Sequence, residues 1–315
     1  MLRTALPLSN LVEYTGLSGA RYLPGKPAHG RPYNRERVQC ATSGLEQFIL
    51  KDISEREFDQ FRENILPQLA STECPHLRLP CDSIIDDAGR RILVYRPATD
   101  DFLSLVKKKQ LPEGKRARGR ATKRILKAVL RGIAELHGRD VVHMDIRPDK
   151  IHFDCPPDSA PTIQSIQLAN LESALYLPPG RRSFRGKFLG HPSWRSPEAI
   201  LGAEINKPAD MYSFGTLCIW AHISQDASIF AADTIPLHDG DDPWATHAVV
   251  RLQRQIGYFG DEKGMAGLIR YVGEERQGTC AFLRRLWVER SIDAGGLDWG
   301  KGDGGGRRGR SFGSW

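Results

Sequence analysis

Hydrophobic and polar positions follow two different periods along this chain, and the change from one to the other divides it. Over residues 35–53 the pattern is that of a hairpin. Arg37-Val38-Gln39-Cys40 is followed by small and polar residues, Ala41-Thr42-Ser43-Gly44, and then by Glu46-Gln47-Phe48-Ile49-Leu50-Lys51-Asp52-Ile53, two β-compatible runs about a turn. From 54 to 70 the apolar residues Phe58, Phe61, Ile65 and Leu66 fall on one side of a charged helix. Pro67, with no N–H to donate, is expected to kink or end it. Short apolar runs at 76–85 and 90–95 predict strands. From Thr122 the spacing of Ile125, Leu126, Val129, Leu130, Ile133 and Leu136 predicts a helix up to His137, with short strands near 151–154 and 163–168. A buried helix is predicted over 207–223, carried by Met211, Phe214, Leu217, Cys218 and Trp220, and helical patterns resume at 245–258 and 278–290. From about residue 293 Gly, Arg, Ser and Asp dominate; so few apolar side chains cannot offset the entropy of ordering, and 293–315 is expected to be disordered. Strands first and helices afterwards predict an α+β chain, a small β-rich lobe on a larger helical one.

The 315 residues suffice for one large domain of two lobes or for two ordinary domains. With 26% charged and 40% hydrophobic residues the composition is globular, and no apolar run reaches the roughly 18–20 residues of a membrane span. The start, Met-Leu-Arg-Thr-Ala-Leu-Pro-Leu-Ser, is too short and interrupted for a secretory signal. Six cysteines (40, 74, 81, 155, 218, 280) form no Cys-x-x-Cys pair, which points to reduced thiols and an intracellular protein rather than a disulfide frame or a zinc site. The net charge of +7 is concentrated: residues 107–127 carry ten Lys/Arg against one Glu. Such a run is either a nucleic-acid or acidic-partner surface or a solvated loop opening into a helix, and the second is expected here. No aromatic side chain is interleaved, which argues against a stacking platform for single strands.

Residues 141–151, Val-Val-His-Met-Asp-Ile-Arg-Pro-Asp-Lys-Ile, carry the chemistry. They resemble the catalytic loop of a protein kinase, His-Arg-Asp-Leu-Lys-Pro-x-Asn, with His143, Asp145 and Pro148 in place, Met144 for Arg, Arg147 for Lys and Lys150 for Asn. The resemblance makes Asp145 the acceptor of the substrate hydroxyl proton and Lys150 the replacement of a magnesium ligand. Lys51 in Phe-Ile-Leu-Lys resembles the strand Lys that holds the α- and β-phosphates, and Glu63 is the best match for its partner on the next helix. Arg91-Ile92-Leu93-Val94-Tyr95-Arg96-Pro97-Ala98 resembles the hinge, where the C=O of Arg96 and the N–H of Ala98 would face an adenine edge. Ala169-Asn170-Leu171-Glu172 occupies the place of Asp-Phe-Gly, so that Asn170 is a degenerate metal ligand. Gly190-His191-Pro192-Ser193-Trp194-Arg195-Ser196-Pro197-Glu198 resembles the end of an activation segment, and Asp210 the buried Asp that braces the catalytic loop.

Two features depart from the family. No Gly-x-Gly-x-x-Gly is present, Gly25 to Gly30 being the nearest substitute, and the far end lacks the helix whose Arg would pair with Glu198, leaving Arg285 or Arg290 as stand-ins. The chain therefore resembles a divergent Ser/Thr-type protein kinase domain over about 35–290. The resemblance implies a bilobal fold with an N-terminal extension (1–34), an N-lobe and hinge (35–98), a C-lobe (99–292) and a tail (293–315). His143, Glu198 and Asp210 take structural parts in it. The metal position gains a cation and loses an anion, and Coulomb terms near 4 Å are about 4 kcal/mol per charge pair at an effective dielectric of 20. The expected function is that of a weak or inactive pseudokinase acting by binding a protein partner, with residual ATP affinity through Lys51 and the hinge and magnesium weak or lost. The alternative is a divergent active kinase in which Asp145 and Arg147 serve transfer of the ATP γ-phosphate to protein hydroxyls.

Overall fold

The computed structural model describes residues 13–27, 38–70, 73–111, 114–155, 163–181, 183–185, 190–224, 228–232, 236–237, 240 and 242–289. They fall into two compact units, Met1–His238 and Asp239–Trp315.

The first unit opens with an antiparallel sheet of β1 (Tyr14–Thr15), β2 (Arg21–Pro27), β3 (Val38–Ser43), β4 (Glu46–Ile53), β5 (Asp82–Ile85) and β6 (Arg91–Tyr95), in the spatial order β1-β2-β3-β4-β6-β5. β3 and β4 form the expected hairpin with a tighter turn. Ser43 pairs with Glu46, leaving Gly44 and Leu45 as the loop, with Gly44 at φ 59°, as a two-residue hairpin demands. Ala41 and Thr42, expected in the turn, are ladder residues. β1 and β2 lie within the segment read as an N-terminal extension, so the sheet begins near Tyr14 rather than residue 35. Tyr14 and Tyr22 are buried, and the Tyr22 ring meets Phe48 edge-on at 5.2 Å. Gly25 belongs to β2, whereas residues 28–30 of the candidate glycine-rich loop lie outside the described residues.

Ser54 and Glu57 form a reciprocal cap on α1 (Glu55–Gln60). The helix continues through a π turn, Phe61–Ile65, into α2 (Leu66–Leu69). The N–H missing from Pro67 would have bonded the Glu63 carbonyl; just before it the ladder widens, the Leu66 amide reaching Phe61, and the helix carries on. Its buried side is Phe58, Phe61, Ile65 and Leu69.

The helical part of this unit contains β7 (Asp100–Asp101), α3 (Phe102–Lys107), α4 (Lys115–His137), β8 (Val141–Val142), β9 (Ile151–Asp154), β10 (Gln164–Leu168), β11 (Leu175–Tyr176), β12 (Phe184–Arg185), α5 (Pro197–Ile200), β13 (Glu204–Ile205) and α6 (Lys207–Ile219). β9 pairs with β10 and β7, and β8 with β11, so the loop between β8 and β9 is pinned at both ends. α4 starts seven residues before Thr122, which makes much of the basic run helical. Leu130 and Met211, expected on buried faces, are exposed, while Val129, Ile133 and Leu217 are buried. One core cluster joins Phe58, Phe61, Leu93 and Tyr95 of the sheet side to Ile125, Val129, Ile133, Phe153, Leu168 and Leu217. A second lies on the other sheet face, around Tyr22, Phe48, Leu50, Ile84 and Val94.

The second unit holds α7 (Pro243–Phe259), α8 (Glu262–Val272) and α9 (Gln277–Glu289), with Asp242 and Asp261 capping the first two. α8 was not expected, because Gly264 and Gly267 dilute its pattern. The tail 293–315 lies outside the described residues, and among those described no helix is long and apolar enough to cross a membrane.

Candidate functional site

Asp210, fully buried in the first turn of α6, organises the loop that follows β8. Its carboxylate accepts from the amides of His143 and Met144, each at 2.8 Å, and lies 2.9 Å from the His137 ring. The His143 ring bridges onward. Its Nδ1 accepts from the Asp145 amide at 3.1 Å, which leaves Nε2–H to donate to the Ala169 carbonyl at 2.9 Å. Met144 is held at φ 68°, and Gly190 at φ 75° lies so close that a Cβ there would overlap the Met144 carbonyl. Asp210 and the His143 ring thus hold the backbone of residues 143–145 through hydrogen bonds.

Asp145 faces a cluster of charge. It accepts from Arg147 Nε at 3.0 and 3.2 Å and from the His191 amide at 3.0 Å, and Lys150 Nζ stands 3.9 Å away. Arg147 also reaches Asp149 at 3.0 Å, and Lys150 lies 3.5 Å from the same carboxylate. Lys150 is buried; burial pushes its pKa down, as do the nearby Arg147 and Lys51 cations, while Asp149 and Asp145 oppose the shift.

Lys51, on β4, pairs with Glu172 and not with Glu63. Glu63 sits in the π turn with its side chain exposed, because the extra residue of that turn and the apolar neighbours Phe61 and Ile65 take the inward positions. The polar group facing inward from this helix is Gln60, whose amide donates to the Ala174 carbonyl at 2.7 Å. Asn170, at φ 71°, donates its amide nitrogen to Glu172 Oε1 at 3.0 Å. Glu172 Oε2 is buried with no hydrogen-bond partner among the described residues.

The hinge is occupied by the chain itself. The Arg96 carbonyl, expected to face an adenine, accepts from the Arg78 guanidinium, which also lies 5.7 Å from the Tyr95 ring centroid. The Arg96 side chain turns out to Glu46 at 3.3 Å, Ala98 is half-buried, and Thr99 next to it bonds the Phe153 carbonyl at 3.1 Å. His152 on β9 has its pKa pushed down to about 4, by burial first and then by the positive charges of Arg78, Lys150 and Lys51. The positive charges of Arg78, Lys150 and Lys51 thus all act on His152, from β4, the Lys150 turn and the segment before β5.

Glu198 is half-buried without an ion pair among the described residues of its unit, and burial raises its pKa against a Ser196 hydrogen bond. Arg285, offered as its partner, pairs with Glu289 at 2.8 Å in α9, and Arg290 lies outside the described residues. Sequence reasoning passed over Glu172, Arg78 and His152. A carboxylate standing where the family has Gly was the signal for the first; single basic residues in strand-like runs gave none for the others.

These donors do not fit a divalent ion. Asn170 presents nitrogen to Glu172, Lys150 lies between Asp145 and Asp149, and Lys51 holds Glu172, so the cleft carboxylates face the protein's own cations.

A protein kinase domain family matches residues 70–240. Serine/threonine-protein kinase D2 of Homo sapiens is 28% identical over 120 residues, 37% of this chain and 12% of the relative. Serine/threonine-protein kinase D3 of Mus musculus is 27% identical over 154 residues, 48% and 15%. The chain thus spans a small share of these relatives' length. In the crystal structure of the yeast RNA Pol II CTD kinase CTDK-1 complex, a chain aligns with TM-score 0.56 at 16% identity, over 82% of this chain and 71% of its own length. Vaccinia related kinase 3 aligns with TM-score 0.54 at 17% identity, over 70% of each chain. At these identities the two structures speak for the fold, which is the bilobal α+β arrangement.

Proposed function

We propose, on the premise that this chain belongs to the protein kinase domain family, that it is a homologue of Ser/Thr kinases which binds rather than catalyses, with phosphoryl transfer weak or lost. The family uses ATP and magnesium, and its chemistry is mostly positioning and charge neutralisation around the transferred group. The observation that carries the proposal is Lys150: a buried ammonium 3.9 Å from Asp145, at the position where the family places an amide ligand. At that range a dication meets a repulsion of about 8 kcal/mol at an effective dielectric of 20, twice the single-charge figure. A polyphosphate has the opposite preference. Lys51, Arg147 and Lys150 offer fixed positive charge once Lys51 exchanges Glu172 for phosphate.

Thermal shift with ATP, in magnesium and in EDTA, tests this, since a ligand that binds the folded state raises stability by RT ln(1 + [L]/Kd). Stabilisation in EDTA at least equal to that in magnesium is expected; stabilisation that requires the metal would overturn the proposal. A second reading, the divergent active kinase, is favoured by the bracing of Asp145 through His143 and Asp210. Radiolabelled transfer by the wild type that disappears in Asp145→Asn would establish it. A protein partner and an intracellular setting belong to the proposal, the latter supported by six unpaired cysteines.

A further inference from the structure

We propose that the solvent face of α4 is a docking strip for the phosphate backbone of a nucleic-acid duplex. The inference rests on this helix alone and is independent of what the cleft binds. Sequence left the basic run as a solvated loop opening into a helix; the structure makes it a rigid element with one face committed. At about 100° per residue, Arg116, Arg120, Lys123, Arg124, Lys127 and Arg131 project within an arc of about 100°. The buried side, Ile125, Val129, Gly132, Ile133 and Leu136, lies diametrically opposite. All six cations are exposed, no Asp or Glu occurs between Lys115 and Ala134, and among the described residues none of the six is held in an ion pair.

The strip extends about 22 Å at 1.5 Å per residue, one positive charge per about 4 Å, of the same order as the roughly 3.4 Å of duplex axis per phosphate of one B-DNA strand. Four of the six are Arg, whose planar fork matches phosphate oxygens. A protein partner would call for buried aromatic or aliphatic anchors among the charges. Leu130 at the edge of the strip is the sole large apolar side chain on offer. The face presents only cations, so it is expected to follow phosphates, contacts that position a protein on the duplex without reading sequence.

Fluorescence anisotropy of the full chain with a labelled DNA duplex, an RNA duplex of the same sequence, a polyglutamate peptide and anionic vesicles tests this. Binding to either duplex is expected, with log K falling linearly with log salt. The quadruple variant Arg116→Gln/Arg120→Gln/Lys123→Gln/Lys127→Gln should reduce the slope by about 3–4 and the low-salt affinity at least about 100-fold. A control with exposed cations removed elsewhere, Arg56→Gln/Lys263→Gln, should bind like wild type. Glutamine is a good helix former and the sites are exposed; the single variant Lys127→Glu gives a smaller loss in the same direction should the quadruple variant lose its circular dichroism. Absence of duplex binding at low salt, equal losses in variant and control, or preference for the peptide or the vesicles would each overturn the proposal.

Discussion

Two backbone amides and an imidazole converge on the carboxylate of Asp210, and removing it would leave the amides of His143 and Met144 buried and unpaired. Asp210→Ala is therefore expected to cost about 2–5 kcal/mol, from two stranded buried amide donors at about 1–3 kcal/mol each. Urea unfolding checks this, and a loss under about 1 kcal/mol would contradict the bracing role. His152 brings a pH dependence. Its pKa is about 4 when folded against 6.5 for the ordinary group, so as pH falls through that window the unfolded chain takes up a proton that the folded chain refuses. Stability then declines below about pH 6.5, by up to about 3 kcal/mol once pH 4 is passed, and is untouched above it. His152→Leu should remove that part of the difference between urea midpoints at pH 7 and 4.5; an unaltered difference would refute it. At this scale the sequence was readable where a residue acts within a spaced motif, as His143 and Asp210 do. It was opaque where a partner lies far along the chain. Lys51 and Glu172 are 121 residues apart, and no periodicity links them.

Helix α4 contains two internal controls on how elements pack. At Gly119 an added Cβ meets nothing within 4 Å, whereas at Gly132 it would stand 2.9 Å from the His76 carbonyl. Ala exceeds Gly in helix propensity by about 1 kcal/mol, so Gly119→Ala should stabilise by about 0.5–1 kcal/mol. At Gly132 the overlap is with backbone, which cannot swing aside, and Gly132→Ala should destabilise by about 1–2 kcal/mol despite the same propensity gain. Chemical denaturation of the pair decides it: stabilisation by both would mean that α4 does not press on the His76–Arg78 segment. Long periodic helices such as α4 and α6 were legible because burial imposes their spacing. β1, β2 and α8 were not, since two strands of two and seven residues show little alternation and two glycines thin out the apolar face of α8.

Across the first unit, one apolar cluster runs from the sheet into the helices, with Leu93 at 0% exposure sharing it with Val129 and Ile133. Leu93→Ala is expected to cost about 2–5 kcal/mol. Because the core is shared, the loss should appear equally in the hydrogen-exchange protection of amides in β6 and in the middle of α4. Unchanged protection in α4 would mean that sheet and helices open separately. The bilobal outline was legible because strands and helices occupy separate stretches of sequence; the sharing of one core was not. The Lys51–Glu172 pair spans the same divide. Exchanging Lys51 for a neutral residue would abandon a carboxylate 3% exposed with one oxygen already unpaired among the described residues, at a cost of about 3–5 kcal/mol. A silent Lys51 variant would then report a weakened scaffold as readily as a lost nucleotide contact, and only a companion change such as Glu172→Gln would tell the two apart.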